Sequence, residues 1–403
     1  MRSFQFHLQG EHDQQSHAGG QGANVGSEGD SAAPSRSLGE SVPIPSRQDL
    51  LNAFDPVPDT PEIESTFLDH MDEDGNLSPE RQAVHDALVE SFLTDEDGNP
   101  LPSQENPQAL MLGGGAAAGK SSAQKLGYVD TPEDSVLINP DEFKVLLPES
   151  AGPSKEGKQG NGLADEVGDA WAGITHEESS HLGKRLTAAA MDNTQNIVLD
   201  KTSSDPAKAV KQVKDLQARG YDVQVAYVTT EIDQAVTNAF VRAKEKGRAV
   251  PEPVLRKGHT GANQAFLSVA RETTAPAQLL TTTAPNPDGS KNPPILTAVS
   301  NGSGGITVVN QDAWSAYLTR VPNVPDDLDD IITAEMAAAI RSLVASSGTV
   351  ESMMSDDRMK VIYGHALAGK TPPNMDAEEQ EFFDELVPSI ADLREQGIAP
   401  DFP

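Results

Sequence analysis

Residues 114–121 read Gly114-Gly115-Ala116-Ala117-Ala118-Gly119-Lys120-Ser121, and the residues on either side of them decide the fold. The spacing is that of a phosphate-cradling loop. An apolar run over residues 109–112 leads into it, and residues 121–126 can open a helix behind it. Small side chains let successive backbone N–H groups close around phosphate oxygens, and the helix adds its positive N-terminal end. Lys120 is expected to reach the β- and γ-phosphates of ATP or GTP, and the Ser121 hydroxyl to ligate Mg²⁺. Ser122 completes the expected nucleotide-binding set.

The chain contains a built-in control. Residues 364–371, Gly-His-Ala-Leu-Ala-Gly-Lys-Thr, satisfy the same spacing. Residues 357–363 before it look like a charged helix rather than a buried strand. Pro372 and Pro373 follow directly, which argues against a helix starting at Lys370. The expectation here is a helix end and a loop, not a phosphate site.

Composition narrows the partners. The 403 residues carry 62 acids against 30 Lys and Arg, a formal net charge of −32. A field of that sign repels nucleic acid and anionic membranes. The absence of cysteine excludes disulfides, thiolate metal sites and cysteine catalysis. The first thirty residues show no apolar core of a signal peptide, and no run reaches the ~18 apolar residues of a membrane span. A soluble protein of the cytoplasm, bacterial or of a phage-infected host, is expected.

The chain divides by character. Residues 1–45, rich in Gly, Gln, Ser and His, read as a disordered tail, with His12, Asp13 and His17 solvated rather than metal-binding. Residues 46–78 read as a partly ordered linker. Asp72-Glu73-Asp74-Gly75-Asn76 and Asp95-Glu96-Asp97-Gly98-Asn99 lack the sixth-position Gly and twelfth-position Glu of a calcium loop, and read as tight acidic turns. Ser78 can cap a helix over residues 79–92, with Pro79 at its first position.

From residue 79 to 324 an α/β domain is expected. Strands are read at 109–112, 135–138, 196–199, 223–228, and a hairpin pair at 295–299 and 306–309 joined by residues 301–305. Helices are read at 176–191, 206–219 and 232–245. This alternation implies a P-loop-type, mostly parallel sheet covered on both faces, with ligands at the carboxyl ends of its strands. Residues 151–173 show no clear element and are expected to form a mobile loop. Residues 325–403 turn helical, with apolar three-to-four spacing at 334–344, 350–368 and 377–395.

Phosphoryl transfer needs a group to accept the hydroxyl proton and cations to offset charge on the migrating phosphoryl. Asn139-Pro140-Asp141-Glu142-Phe143-Lys144 follows the second strand. Asp141 is a candidate base, or else only a helix N-cap, and Lys144 a candidate anchor for an anionic substrate. Asp200-Lys201-Thr202 closes the third strand, where Asp200 can hold Mg²⁺ through water, orient substrate, or merely cap the next segment. Arg242, Lys244, Lys246, Arg248 and Arg256 cluster in a chain short of cations. Arg248, in the corner Gly247-Arg248-Ala249-Val250-Pro251, suits a lid over the triphosphate, whereas Lys244 and Lys246 suit a solvated helix face. Nothing in the spacing of His176 and His259 singles them out.

This ordered set resembles the zeta toxin family of P-loop kinases over roughly residues 80–320. The resemblance rests on residues 114–121, 139–144 with Pro148, His176-Glu177-Glu178-Ser179-Ser180, 196–202, Gly220-Tyr221 and 242–251, in the family's order. It implies transfer of the γ-phosphate of ATP or GTP to a sugar hydroxyl, as in relatives that phosphorylate UDP-N-acetylglucosamine, arrest growth and are held in check by an antitoxin protein. Lys120 is then the phosphate lysine, Asp141 the base, and Arg242 and Arg248 the transition-state arginines. Lys144, Glu178, Lys184, Asp200 and Thr202 fall on the substrate side. Two positions depart from the pattern: Lys184 stands where a substrate-contacting glutamate is usual, and Lys201 replaces a glycine. Some relatives use other acceptors, including a nicotinamide dinucleotide, so a kinase with another acceptor and no toxic role is the alternative. An accessory role in a phage-encoded protein is a third, kept open by residues 10–17.

Overall fold

The computed structural model describes residues 36–53, 65–285, 291–300, 302 and 305–325, together with residues 328, 375, 377, 380, 383 and 384. The second Gly-Lys-Thr pattern, the expected helices at 334–344 and 350–368, most of the one at 377–395, and the His12–His17 group all lie outside these residues.

The sheet is built by sequence alternation. In β1 (Gln108–Gly113), Ala109 and Met111 join one apolar cluster while Leu110 and Leu112 join another. The same split recurs in β3 (Ile197–Asp200), with Ile197 and Leu199 on one side and Val198 on the other. It recurs again in β4 (Asp222–Thr229) and β5 (Ala277–Thr281). A strand that sends alternate apolar side chains to opposite faces must be covered on both. One face is covered by α3 (Pro79–Phe92), α8 (His176–Asp192), α9 (Pro206–Ala218), α11 (Glu252–Glu272) and α12 (Gln311–Leu318); the other by α4 (Lys120–Lys125) and the residues behind it.

With β2 (Val136–Ile138), β6 (Ile295–Ser300) and β7 (Ile306–Val308), the order is β2-β3-β1-β4-β5-β6-β7. The first five strands run parallel, and β6 and β7 add an antiparallel edge. The expected strands therefore form; β5 is an addition, seated between β4 and β6. β1 lies between β3 and β4, where the chain reverses its direction of travel across the sheet. Such switch points open a crevice at the strands' carboxyl ends. Register puts Leu112 beside Asp200 and Gly113 beside Tyr227, so the glycine-rich loop starts in that crevice.

The expected helices at 79–92, 176–191, 206–219 and 232–245 all form, the last as α10 (Ile232–Lys246). Ser78 caps α3 by accepting from the Arg81 N–H, and Pro79 is its first residue. Such a cap stabilises a helix by about 1 kcal/mol. The two acidic segments are tight turns: Asp72 accepts from the Asn76 N–H, and Asp95 from those of Asp97 and Asn99. Four further helices are α1 (Arg47–Ala53), α2 (Thr66–Asp69), α5 (Pro140–Leu146) and α6 (Asn161–Val167), followed by the single turn α7 (Trp171–Ile174).

Two expectations change. Residues 151–173 are not a featureless loop, because α6 and α7 lie within them and Trp171 is fully buried, its Nε1–H donating to the Gly247 carbonyl at 2.8 Å. Residues 36–39, counted with the tail by composition, lie along α8: the Ser37 N–H donates to Asn193 Oδ1, and Arg185 donates to the Leu38 carbonyl. In the segment read as linker, Leu50, Phe67, Leu68 and Met71 form their own small apolar cluster, and the Phe67 ring packs against those of His85 and His181, which also pack on each other. No helix among the described residues is long and apolar enough to cross a membrane.

Candidate active site

The loop between β1 and α4 is held carbonyl by carbonyl. Lys120 Nζ donates to the Gly114 oxygen at 2.8 Å, His259 Nε2 to that of Ala116 at 2.8 Å, Asn238 Nδ2 to that of Ala117 at 3.3 Å, and Thr282 Oγ1 to that of Ala118 at 2.8 Å. These four donors fix the carbonyl side of the loop, and the Ala118 N–H closes a turn onto the Gly115 carbonyl at 3.2 Å; an anion cradle uses the N–H groups of such a loop. The glycines are needed for space as well as for conformation. Gly114 has φ +134°, and a Cβ there would meet the Val228 carbonyl at 2.3 Å; at Gly115 it would run into the His259 ring at 2.2 Å.

The spacing of His259 in the sequence assigns it no role, but the structure does. It is buried on α11, and burial holds its imidazole below the ordinary value. A neutral ring facing a carbonyl must carry its proton on Nε2, so His259 is a fixed donor to the loop. Its position seven residues into α11 carries no local signal, because that helix itself is not legible in the sequence.

Lys120 begins α4, and besides Gly114 it faces Asp200 Oδ1 at 3.6 Å. Burial pulls the Lys120 ammonium down in pKa, against the pull of Asp200 and Asp141. Burial and the nearby Asp141 push the Asp200 carboxyl up, against Lys120. Asp200 also accepts from Asn139 Nδ2 at 3.4 Å. It is not a helix cap: Asp205 caps α9 by accepting from the Lys208 N–H. Ser121 is exposed on the first turn of α4, and Ser122 Oγ accepts from Lys291 at 2.7 Å.

Asp141 is not the cap of α5 either. Asn139 takes that place, accepting from the Asp141 N–H at 3.0 Å, and so frees the Asp141 carboxylate. That carboxylate lies 3.3 Å from Lys144 Nζ through one oxygen and 3.3 Å from Arg248 Nη2 through the other. Burial opposes its ionisation, but Lys144, Arg248 and Arg242 outweigh burial and hold it below the usual carboxylate range. Lys144 is itself buried, which lowers its pKa against the pull of Asp141. Arg242 is depressed by burial and by Arg248, and its buried Nε–H has no hydrogen-bond partner among the described residues. His176, at the start of α8, is held low by burial and by Lys144.

The structure thus brings Lys120, Asp141, Lys144, Asp200, Arg242 and Arg248 to one strand edge. Thr202 sits beside the loop, its carbonyl accepting from the Gly114 N–H at 3.1 Å. Lys244 lies over the Phe240 ring and Arg256 pairs with Glu252 and Asp233 at the surface, so neither joins the group. Glu178, expected on the substrate side, is placed elsewhere. It is fully buried, with Arg81 Nε at 2.5 Å, Arg81 Nη2 at 2.7 Å and His85 Nε2 at 2.6 Å taking both its oxygens. Lys184, the neighbouring expectation, is exposed on α8.

No curated protein matches this chain. Among solved structures, it is similar to the AvrRxo1-ORF1:AvrRxo1-ORF2 complex solved with ATP, with 20% identity over 66% of this chain and 85% of that one and a TM-score of 0.44. It is also similar to a structure from the PezAT chromosomal toxin–antitoxin system of Streptococcus pneumoniae, with 16% identity over 54% of this chain and 83% of that one and a TM-score of 0.38. Residues 93–287 match the family model of the zeta toxin, and that segment contains the loop, Asp141 and both arginines. Over those residues the chain is similar to the zeta toxin family, which supports a kinase-type phosphotransferase.

Proposed function

We propose that this chain moves the γ-phosphate of ATP or GTP to a hydroxyl of a small molecule, a nucleotide sugar such as UDP-N-acetylglucosamine being the first candidate. One observation carries the reading: Asp141 is held ionised between Lys144 and Arg248 on the same strand edge as Lys120. The acceptor oxygen forms the new bond to phosphorus, the bond to the β-phosphate oxygen breaks, and the hydroxyl proton passes to Asp141. A carboxylate of low pKa is a weak base, which suits a loose transition state where the proton leaves late. Asp141 then acts chiefly by orienting the hydroxyl.

Lys120 serves the β- and γ-phosphates, while Arg242 and Arg248 offset charge on the migrating group. The unpartnered Nε–H of Arg242 is a donor with nothing yet to bind. Mg²⁺ fits the donors present, namely the Ser121 hydroxyl and the Asp200 carboxylate. The described residues contain no cluster of three or more His, Asp or Glu suited to a metal, and Mg²⁺ held largely by water and phosphate needs none. When bound, it neutralises charge between the phosphates. A neutralising antitoxin protein belongs to the same reading.

The test is incubation with labelled ATP and a panel of nucleotide sugars, read by mass spectrometry. Transfer unchanged in both Lys120→Ala and Asp141→Ala would refute the mechanism. Toxicity is separate: the wild type should arrest growth on expression and the Lys120 variant should not. The acceptor edge leaves room for a different acceptor, because Glu178 is already fully engaged with Arg81 and His85.

A further inference from the structure

Lys120 and Asp200 are opposite charges that stop short of each other. Their side chains are only 14% and 13% exposed, yet Lys120 Nζ stands 3.6 Å from Asp200 Oδ1. A charge-assisted contact between such groups closes to about 2.7–2.9 Å when nothing opposes it. The attraction is strong where water is scarce, so something must hold the pair open.

Each partner has a second bond that draws it away. Lys120 Nζ donates to the Gly114 carbonyl at 2.8 Å. Asp200 Oδ2 accepts from Asn139 Nδ2 at 3.4 Å. Sheet register places that donor: Ile138 pairs with Leu199, so Asn139 and Asp200 leave adjacent parallel strands side by side. The amide is fixed in its orientation as well. Its Oδ1 accepts from the Asp141 N–H at 3.0 Å as the cap of α5, which leaves Nδ2 for the carboxylate. Capping alone would be met as well by aspartate or serine. Only the forked amide accepts at one atom and donates from another.

We infer that Asn139 is a positioning residue that keeps Asp200 from closing onto Lys120, so that the lysine ammonium stays free for a phosphate. The role of Lys120 toward phosphate rests on the kinase reading; the spacing of the pair does not. The chain of contacts runs from the Asp141 N–H through the Asn139 amide to Asp200 and on to Lys120. It joins the first turn of α5 to the glycine-rich loop.

The experiment uses Asn139→Ser and Asn139→Asp in the full chain, since both changes keep the cap. Nucleotide-free crystal structures of either variant should show Asp200 swung onto Lys120, at about 2.8 Å. ATP binding is read by calorimetry in EDTA, which leaves metal out of the comparison. Binding should weaken at least fivefold in Asn139→Ser and at least as much in Asn139→Asp, with melting temperatures near that of the wild type. In an Asp200→Asn background the same Asn139→Ser change should have little effect, because the carboxylate it releases is gone. Equal weakening in both backgrounds, or an unmoved Asp200 in the variant structures, overturns the inference. Should one variant fail to fold, the other carries both measurements. If the wild type binds no ATP, the kinase reading fails, and the crystal structures still decide the spacing.

Discussion

Arg248 Nη2 stands 3.3 Å from Asp141 Oδ2, joining the corner after α10 to the first turn of α5, more than a hundred residues earlier. The pairing ties the proposed transition-state cation to the proposed base. Removing Arg248 has two consequences. Arg248→Ala should lower kcat by about 10³-fold, the low end of the range for a cis arginine. It should also move the acid limb of the pH–rate profile upward. Asp141 is held low by Lys144 and Arg248 against burial, so losing one cation lets burial raise its pKa. The ionised fraction then falls at a higher pH than in the wild type. An unshifted acid limb in Arg248→Ala would separate the two residues functionally.

His259 and Gly115 share one space. The ring sits where a Gly115 Cβ would be, at 2.2 Å, and also holds the Ala116 carbonyl. Gly115→Ala should weaken ATP binding by at least tenfold, because either the loop or the ring must move. His259→Ala should weaken it by a comparable factor through loss of the donor. The double variant should bind better than the sum of the two effects allows, since the smaller residue admits the new methyl group. Strictly additive losses, measured by calorimetry with an ATP analogue, would count against the shared-space account.

The reach of local sequence signals is clearest at α11 and β5. The β1 strand and the loop are readable because period-two apolar alternation and a fixed glycine spacing are both local. The 21-residue α11 is not, because Gly258 and Gly261 lower its helix propensity. The structure explains them: a Cβ at Gly261 would meet the Ser204 carbonyl at 2.0 Å, and one at Gly258 would meet Thr202 Cγ2 at 3.4 Å. The loop after β3 presses against that helix, a tertiary demand with no local trace. β5 is five residues, two of them polar (Gln278 and Thr281), too short to announce itself. The partners of Glu178 are equally invisible, since Arg81 lies 97 residues away. Asp141, by contrast, has an ambiguous local reading that one neighbour resolves: Asn139 takes the cap.

Glu178 predicts a stability defect instead of a catalytic one. Glu178→Gln strands the buried Arg81 guanidinium with only Glu149 and should cost about 3–5 kcal/mol in chemical denaturation. The acid limb of wild-type stability follows the same network. Burial pushes the Glu178 carboxyl up, but His85 and Arg81 outweigh it and hold it at about 2, against an ordinary 4.5. Its contribution, on the order of 3 kcal/mol, is therefore complete above pH 4.5 and is lost as pH falls toward 2. His181 adds to this. Burial and its cationic neighbours hold it at about 3 against 6.5, so protons favour the unfolded chain from pH 6.5 downward. Denaturation midpoints should fall steadily from pH 6.5 to 3 in the wild type, with a shallower slope in Glu178→Gln below pH 4.5.

Trp171 connects the insert to the arginine corner. Its indole N–H donates to the Gly247 carbonyl at 2.8 Å, the residue just before Arg248, and the Gln159 N–H donates to the Lys246 carbonyl at 3.2 Å. Gly247 adopts φ +66° to end α10, and a Cβ there would press on Lys158 at 2.8 Å. The insert therefore sets where α10 stops and where Arg248 starts. Trp171→Phe keeps most of the buried ring and removes one hydrogen bond, so global stability should fall by only about 1 kcal/mol. If the corner positions Arg248 in the transition state, kcat should nevertheless drop several-fold with KM for ATP nearly unchanged. A rise in KM at constant kcat would place the tether in nucleotide binding instead. Loss of both in proportion to unfolded protein would reduce Trp171 to a core residue.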